Sequence, residues 1–301
     1  MKVLITGGNG QLGWELQYVH ARQCADGGGP VAGDRVRACD LETLDIRDPQ
    51  AVQTVLQAWR PDVVINAAAY TAVDRAESEV ALAEAVNTHA AGNLARAVAG
   101  IGARMIHVST DFVFDGTASV PYRPEAQVSP LNVYGRTKQA GEQLVLEILG
   151  DRATVVRTSW LYSRHGQNFV RTVLRLAATR EQVGIVCDQT GTPTWARTLA
   201  HAIWRLVHQP EYHGLWHWSD AGTASWYDFA VAITEEARQA GHLALPVAHI
   251  RPIGTEEYPT PARRPAYSVL DCRASWRALQ MEPLHWRLAL RQMFADWEQQ
   301  G

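Results

Sequence analysis

Short runs of β-branched and apolar residues recur through the first half of the chain, at Lys2–Thr6, Val36–Asp40, Val63–Asn66, Arg104–Ser109 and Thr154–Thr158. Between them lie longer stretches whose apolar positions repeat at helical spacing, among them Pro49–Trp59 and Glu79–Ala99. This exchange of strand and helix is the mark of βαβ units, so residues 1–160 are expected to build a parallel sheet. Beyond Trp160 the pattern is less regular. It predicts helices over Asn168–Thr179, Ala196–His208, Trp226–Ala240 and a closing His285–Gln299.

Turn formers mark the interruptions. Cys24–Arg35 carries the run Gly27-Gly28-Gly29-Pro30, and Asp115–Val133 carries three prolines, so both read as loops. Pro259-Thr260-Pro261-Ala262-Arg263-Arg264-Pro265 cannot be helical, because proline lacks a backbone donor and restrains the residue before it. This stretch is expected to be extended.

Composition narrows the class. Of 301 residues, 47% are hydrophobic and 20% charged, with a formal net charge of −3, as in ordinary globular proteins. No run of basic residues offers a footprint for nucleic acid, so no nucleic-acid partner is expected. No stretch reaches the roughly 18 apolar residues of a membrane span, and the start is too short an apolar run for a signal peptide. A cytoplasmic protein without membrane attachment is expected. Cys24, Cys39, Cys187 and Cys272 are far apart and contain no C-x-x-C pair, which suggests reduced thiols rather than a zinc or redox site.

The strongest local signal follows the first strand. Gly7-Gly8-Asn9-Gly10-Gln11-Leu12-Gly13 places glycines at 7, 10 and 13 of a turn that leads into a helical pattern. Gly7 permits the tight turn, Gly10 lets the backbone approach a pyrophosphate, and Gly13 lets the helix pack on the sheet. Helix-start amides around Gln11 and Leu12 then face the anion. Asp40 closes the second strand where an acid can bond a ribose hydroxyl, a feature that favours NADH, while nearby Arg37 keeps NADPH open. The fold expected is therefore α/β, a Rossmann-type doubly wound parallel sheet with a smaller C-terminal part. Strand Val63–Asn66 ends in Ala67-Ala68-Ala69-Tyr70, small residues that leave room for a ligand or simply pack.

Tyr134 and Lys138 lie four residues apart, on one helix face. A phenol of pKa about 10 is a poor acid near neutrality, and a neighbouring ammonium favours its ionised form, so the pair can deliver a proton to a carbonyl oxygen. Ser109-Thr110-Asp111 ends the preceding strand and offers hydroxyls to the same carbonyl. His213 and His217 alternate along a strand-like segment, which denies them the shared face that helical spacing would give to a metal pair.

At these residues the chain resembles the extended short-chain dehydrogenase/reductases, and within them the dTDP-4-dehydrorhamnose reductases. Further marks are Asn66 through Asp74, Ser109 through Gly116, Arg157-Thr158-Ser159-Trp160 and Pro259 through Pro265. The resemblance spans nearly the whole chain and implies hydride transfer from NADPH or NADH to the 4-keto group of a dTDP-linked deoxysugar. It implies Tyr134 as general acid, Lys138 on the nicotinamide ribose, and Thr110 as the group that polarises the carbonyl. Asp45 and Ile46 would flank the adenine end, Ala67, Ala68 and Tyr70 the middle of the cofactor, and Val73, Phe112 and Trp160 the sugar. Residues 1–160 would form the dinucleotide-binding domain, with some later segments returning to it, and residues 161–301 mainly the substrate-binding part.

Phe112 stands where the family often has tyrosine, so a phenol hydrogen bond is missing there. The family also implies a homodimer and Mg2+, with Glu15 among the ligands, against the alternative of a solvated helix acid. Other nucleotide-sugar reductases, epimerases and non-catalytic nucleotide-binding regulatory subunits share this frame and remain alternatives at this stage.

Overall fold

The computed structural model describes residues 1–25, 33–244 and 247–298. The glycine-rich run at 27–30 and the last residues of the expected closing helix lie outside the described residues.

The first half alternates as its pattern predicts. β1 (Lys2–Thr6), α1 (Gln11–Ala25), β2 (Arg35–Cys39), α2 (Pro49–Trp59) and β3 (Val63–Asn66) lead to the short α3 (Val73–Ala76) and α4 (Val80–Glu84). α5 (Ala90–Gly100), β4 (Arg104–Thr110), α6 (Val133–Leu149) and β5 (Ala153–Thr158) complete the half. The second half contains β6 (Leu161–Tyr162), α7 (Phe169–Thr179), β7 (Gln182–Val186), β8 (Thr190–Gly191), β9 (Thr194–Trp195) and α8 (Ala196–Val207). It ends with β10 (Gly214–His217), β11 (Ala224–Ser225), α9 (Trp226–Gln239), β12 (His249–Ile253), α10 (Arg273–Ala278) and α11 (Trp286–Glu298).

The main sheet has the order β10-β5-β4-β3-β1-β2, and each neighbouring pair is parallel. This is the Rossmann-type doubly wound α/β arrangement. β3 and β5 are buried along their whole length because helices cover both faces. Alternate residues of one strand divide between two cores: Val3 and Ile5 pack with Leu16, Ile203 and Trp204 under α1 and α8, while Leu4 packs with Leu56, Leu94 and Val145 under α2, α5 and α6. α8 and β10, from the second half, return to cover and extend this sheet.

Helix starts follow their capping residues. Asp48 accepts from Gln50 and Ala51 ahead of Pro49, Asn132 accepts from Gly135, Asn168 from Arg171, and Ser225 with Asp228 forms a reciprocal capping box. The helix expected over Glu79–Ala99 is not continuous. A π-helical turn, Ala85–His89, separates α4 from α5. Buried Asn87 causes this bulge to be useful: its amide bonds the Tyr70 backbone on both sides and the Thr137 hydroxyl, and its carbonyl presses on α6 so closely that a Cβ at Gly141 would lie 2.2 Å away. These contacts come from remote chain segments, which a local helical period does not record.

A separate core in the second half gathers Tyr162, Val173, Trp195, Phe229, Ile233 and Leu290. Trp286 and Phe294 of the closing helix belong to it, and Trp297 stacks on Phe294, so that helix packs on its own chain. His217 is also structural. It is buried in β10 with Nδ1 on the Tyr122 carbonyl, and burial pushes it down to about 3.

Candidate active site

The expected site residues collect along the carboxyl ends of the parallel strands, where open α/β sheets hold their ligands. Gly7, after β1, has φ of 73°, and a Cβ there would stand 2.7 Å from the Ala68 amide nitrogen. A Cβ at Gly13 would stand 2.1 Å from the Gly7 carbonyl oxygen. Both glycines are thus demanded by packing. Gly10 differs: its Cβ would meet only the Gly7 oxygen, at 3.3 Å, and the residue is exposed. The open approach lies over Gly10, beside a helix start that leaves first-turn amides available to an anion.

Around this turn the side chains take different roles. Leu12 points into the core, and Gln11 accepts from Asn168 at 2.9 Å. Asp40 stands next to the turn, bonded by Asn9 and by the Glu42 amide. Asp45 is ion-paired with Arg47 at 2.7 Å, and the Arg47 hydrogen bonds hold its carboxyl below the usual range. Ile46 gives its side chain to the core with Leu44 and Val52. Ala67 donates to the Thr6 carbonyl and Ala68 touches Gly7, while the Tyr70 phenol donates to Glu79 at 2.5 Å.

Thr110, Tyr134 and Lys138 meet at the end of β4. Thr110 is buried and caps the 3₁₀ turn Asp111–Val113, with its hydroxyl 3.1 Å from Asp111 Oδ1. Asn132 starts α6 so that Tyr134 falls in its first turn and Lys138 one turn deeper. A Cβ at Gly135 would lie 2.2 Å from the Phe112 carbonyl oxygen, so glycine is what lets this helix start approach the β4 loop. Phe112 meets Tyr134 edge to face, with ring centroids 5.7 Å apart. At the neighbouring ends of β4 and β5, Thr158 Oγ1, in register with Thr110, and Ser109 Oγ, on the opposite face, are buried without a hydrogen-bond partner. Unpartnered buried hydroxyls at the strand ends fit a polar ligand.

The electrostatics depart from expectation in one respect. Lys138 is 2% exposed and donates to the Val108 carbonyl at 2.6 Å. Burial brings its ammonium down to about 8, opposed by Glu142. The phenol of Tyr134 is raised rather than lowered, to about 12, chiefly by burial and further by the Asp111 charge, with the Thr110 hydroxyl opposing. The ammonium is committed to a backbone carbonyl, and desolvation dominates the phenol. Burial also pushes Asp111 up to about 7.

Val73 begins α3, and the next residue, Asp74, is clasped by both terminal nitrogens of Arg264 at 2.9 and 2.8 Å. This bond ties the extended 259–265 loop to the first half. Trp160, at φ of 45°, stacks on Trp226 with 3.5 Å between centroids and 4° between planes. Trp226, Phe169, Asp74 and Arg264 line a cavity of about 620 Å³. Trp160 therefore supports the cavity wall from behind Trp226, in contact with the second core. Asn87, Trp226 and the Asp74–Arg264 clasp are functional candidates that the sequence reading did not single out. Asp74 and Arg264 stand inside noted motifs, whereas Asn87 sits in an unremarkable helical pattern.

Glu15 is neither a solvated helix acid nor free to take a magnesium ion. Glu15 is fully buried, accepts from Ser163 Oγ at 2.7 Å on one oxygen and from Arg197 Nε at 2.8 Å on the other. Among the described residues no group of three His, Cys, Asp or Glu side chains could hold a metal ion. None of the helices there is long and apolar enough to cross a membrane.

A family model described as RmlD substrate binding domain matches residues 1–299. The dTDP-4-dehydrorhamnose reductase of Burkholderia thailandensis is 44% identical over 299 residues, which cover 96% of this chain and 97% of that protein. The crystal structure of a dTDP-4-dehydrorhamnose reductase from Clostridium acetobutylicum matches with TM-score 0.88 and 37% identity, covering 99% of this chain and 100% of that one. That of the Bacillus anthracis dTDP-4-dehydrorhamnose reductase, in complex with NADP, matches with TM-score 0.87 and 36% identity, covering 98% and 99%.

Proposed function

The chain belongs to the RmlD substrate binding domain family, and from this we propose that it is an NAD(P)H-dependent reductase converting dTDP-4-dehydro-L-rhamnose to dTDP-L-rhamnose. The observation that carries the reading is the meeting of Thr110, Tyr134 and Lys138 at the end of β4, where Thr158, in register with Thr110, has an unpartnered hydroxyl, on the sheet edge that also bears the glycine turn.

The turn suits a dinucleotide. Gly10 leaves the backbone open where a pyrophosphate would approach, and Ala67 and Ala68 keep the adjoining strand end small. We assign the ribose region of the cofactor to Asp40, which Asn9 of the turn bonds, and its middle region to Tyr70, with Asp45 and the Ile46 backbone beyond. A bound reduced nicotinamide supplies hydride to the carbonyl carbon of the sugar.

The chain's own residues manage the oxygen. The Tyr134 phenol donates its proton to that oxygen as the negative charge develops, and the Thr110 hydroxyl hydrogen-bonds it. Lys138, whose ammonium is held by the Val108 carbonyl one helical turn from Tyr134, is assigned to the nicotinamide ribose. Phe112 and Tyr134 form one apolar edge of the sugar site, and the cavity behind Asp74 and Arg264 receives the nucleotide end. A reducing cytoplasm is the compartment assigned, in keeping with a nucleotide-sugar substrate.

The test is oxidation of NADPH or NADH on mixing with dTDP-4-dehydro-L-rhamnose, with UDP- and GDP-keto sugars as controls. Net oxidation with the dTDP sugar is expected, one coenzyme per product. Isomer formation without net oxidation would instead mean an epimerase. Tyr134→Phe should bind coenzyme normally and lose roughly 10²- to 10⁴-fold in turnover, the usual worth of a positioned acid. Undiminished turnover in that variant would overturn the mechanism.

A further inference from the structure

Three helices that are remote in sequence meet at one guanidinium. Glu15 lies on α1, Arg197 in the first turn of α8, and Asp296 near the end of α11. Arg197 Nε donates to Glu15 Oε2 at 2.8 Å, and its Nη1 bonds Asp296 Oδ2. The guanidinium is sandwiched by rings, 4.1 Å from the Tyr18 centroid and 4.6 Å from that of Trp195. Glu15 is fully buried and Arg197 only 7% exposed, while Asp296 is 34% accessible, so the positive charge bridges one buried and one partly exposed carboxylate.

We propose that Arg197 is a built-in cation that does the work of a divalent metal, holding α1, α8 and α11 together so that this chain needs no Mg2+ for its stability. Mg2+ asks for six oxygens in near-octahedral array and gives up its waters reluctantly. Here the space between the carboxylates is filled by a planar group, flanked by indole and phenol, and the second oxygen of Glu15 is taken by Ser163. A guanidinium suits the same place, because it stays charged, stacks on aromatic faces and bonds two carboxylates at once. The bridge also stands behind the glycine turn. α1 begins at Gln11, and Ser163, Asn168 and His165 connect Glu15, Gln11 and the Asn9 carbonyl along one continuous path.

Thermal unfolding of the full chain in EDTA and in millimolar MgCl2 tests the proposal without reference to reductase activity. The wild-type midpoint should be the same in both. Arg197→Met keeps the length of the stem but removes the charge, and should lower the midpoint by roughly 6 °C or more in either solution, as expected for an uncompensated buried carboxylate in a chain of this size. Adding Glu15→Gln to that variant should recover part of the loss, because the stranded charge is gone. Should Arg197→Met fail to fold, Arg197→Lys, expected to melt between it and wild type, takes its place. A wild-type midpoint that falls in EDTA and returns with Mg2+ would overturn the proposal, as would an Arg197→Met midpoint equal to wild type.

Discussion

Lys138 shows how far one side chain's environment departs from what spacing alone implies. Its position relative to Tyr134 follows from helical geometry, but its charge state follows from burial against the Val108 carbonyl, which brings it from 10.5 to about 8. The ammonium is therefore present below about 8 and lost above it. For the proposed reduction, kcat/KM should hold level on the alkaline side of neutrality and then fall tenfold per pH unit above about 8, since kcat/KM reports the groups of the free enzyme. Lys138→Met should lose this limb and run at a low, flat rate. A wild-type profile still level at pH 10 would remove Lys138 from the assigned role. Tyr134, raised to about 12, keeps its proton throughout this range and so remains a donor.

At the scale of elements, the turn between β1 and α1 separates two kinds of glycine. Gly13 is close-packed against Gly7, so Gly13→Ala forces helix and strand apart and should cost about 1–3 kcal/mol of stability by overpacking. Gly10 has room, so Gly10→Ala should melt close to wild type while coenzyme affinity falls roughly tenfold, about 1.4 kcal/mol. Melting curves with coenzyme titrations separate these outcomes. Equal loss of affinity in both variants, with equal loss of stability, would mean that Gly10 is there for packing alone. The π-helical turn at Ala85–His89 acts on the same scale. By bulging toward Gly141 it lets Asn87 reach Tyr70 and Thr137 together, and so joins the loop after β3 to the helix that carries Tyr134 and Lys138.

Across the whole molecule, the sheet half and the second core are linked by side chains from distant parts of the sequence. The Asp74–Arg264 pair is partly exposed, with side chains 38% and 22% accessible, so its net worth to stability should be about 1 kcal/mol or less. Its larger effect is on shape, because Asp74, Thr260 and Arg264 all line the cavity. Arg264→Met should leave the melting midpoint almost unmoved and raise KM for the dTDP sugar roughly tenfold, about 1.4 kcal/mol, with kcat preserved, the signature of lost uniform binding. A fall in kcat at unchanged KM would place Arg264 in the chemistry instead. The Glu15–Arg197 half of the three-residue bridge differs in being buried, which is why its loss is expected in stability rather than in substrate binding.

Much of this protein is legible in its sequence. The strand-helix exchange, the glycine turn, and the pairing of Tyr134 with Lys138 are dictated locally, by side-chain periodicity, backbone freedom at glycine and one helical turn of spacing. Those signals sufficed for the parallel sheet, and the structure brings Thr110, Tyr134 and Lys138, the residues they singled out, to the end of one strand. Tertiary structure decided the rest. It turned one expected helix into two around Asn87, drew β10 and α8 back onto the sheet, put Trp160 behind Trp226, raised the Tyr134 phenol and paired Glu15 with an arginine. Each of these depends on which remote groups share a volume from which water has been removed, and there a charge or hydrogen-bonding group is governed by its neighbours in space rather than by its neighbours in the chain.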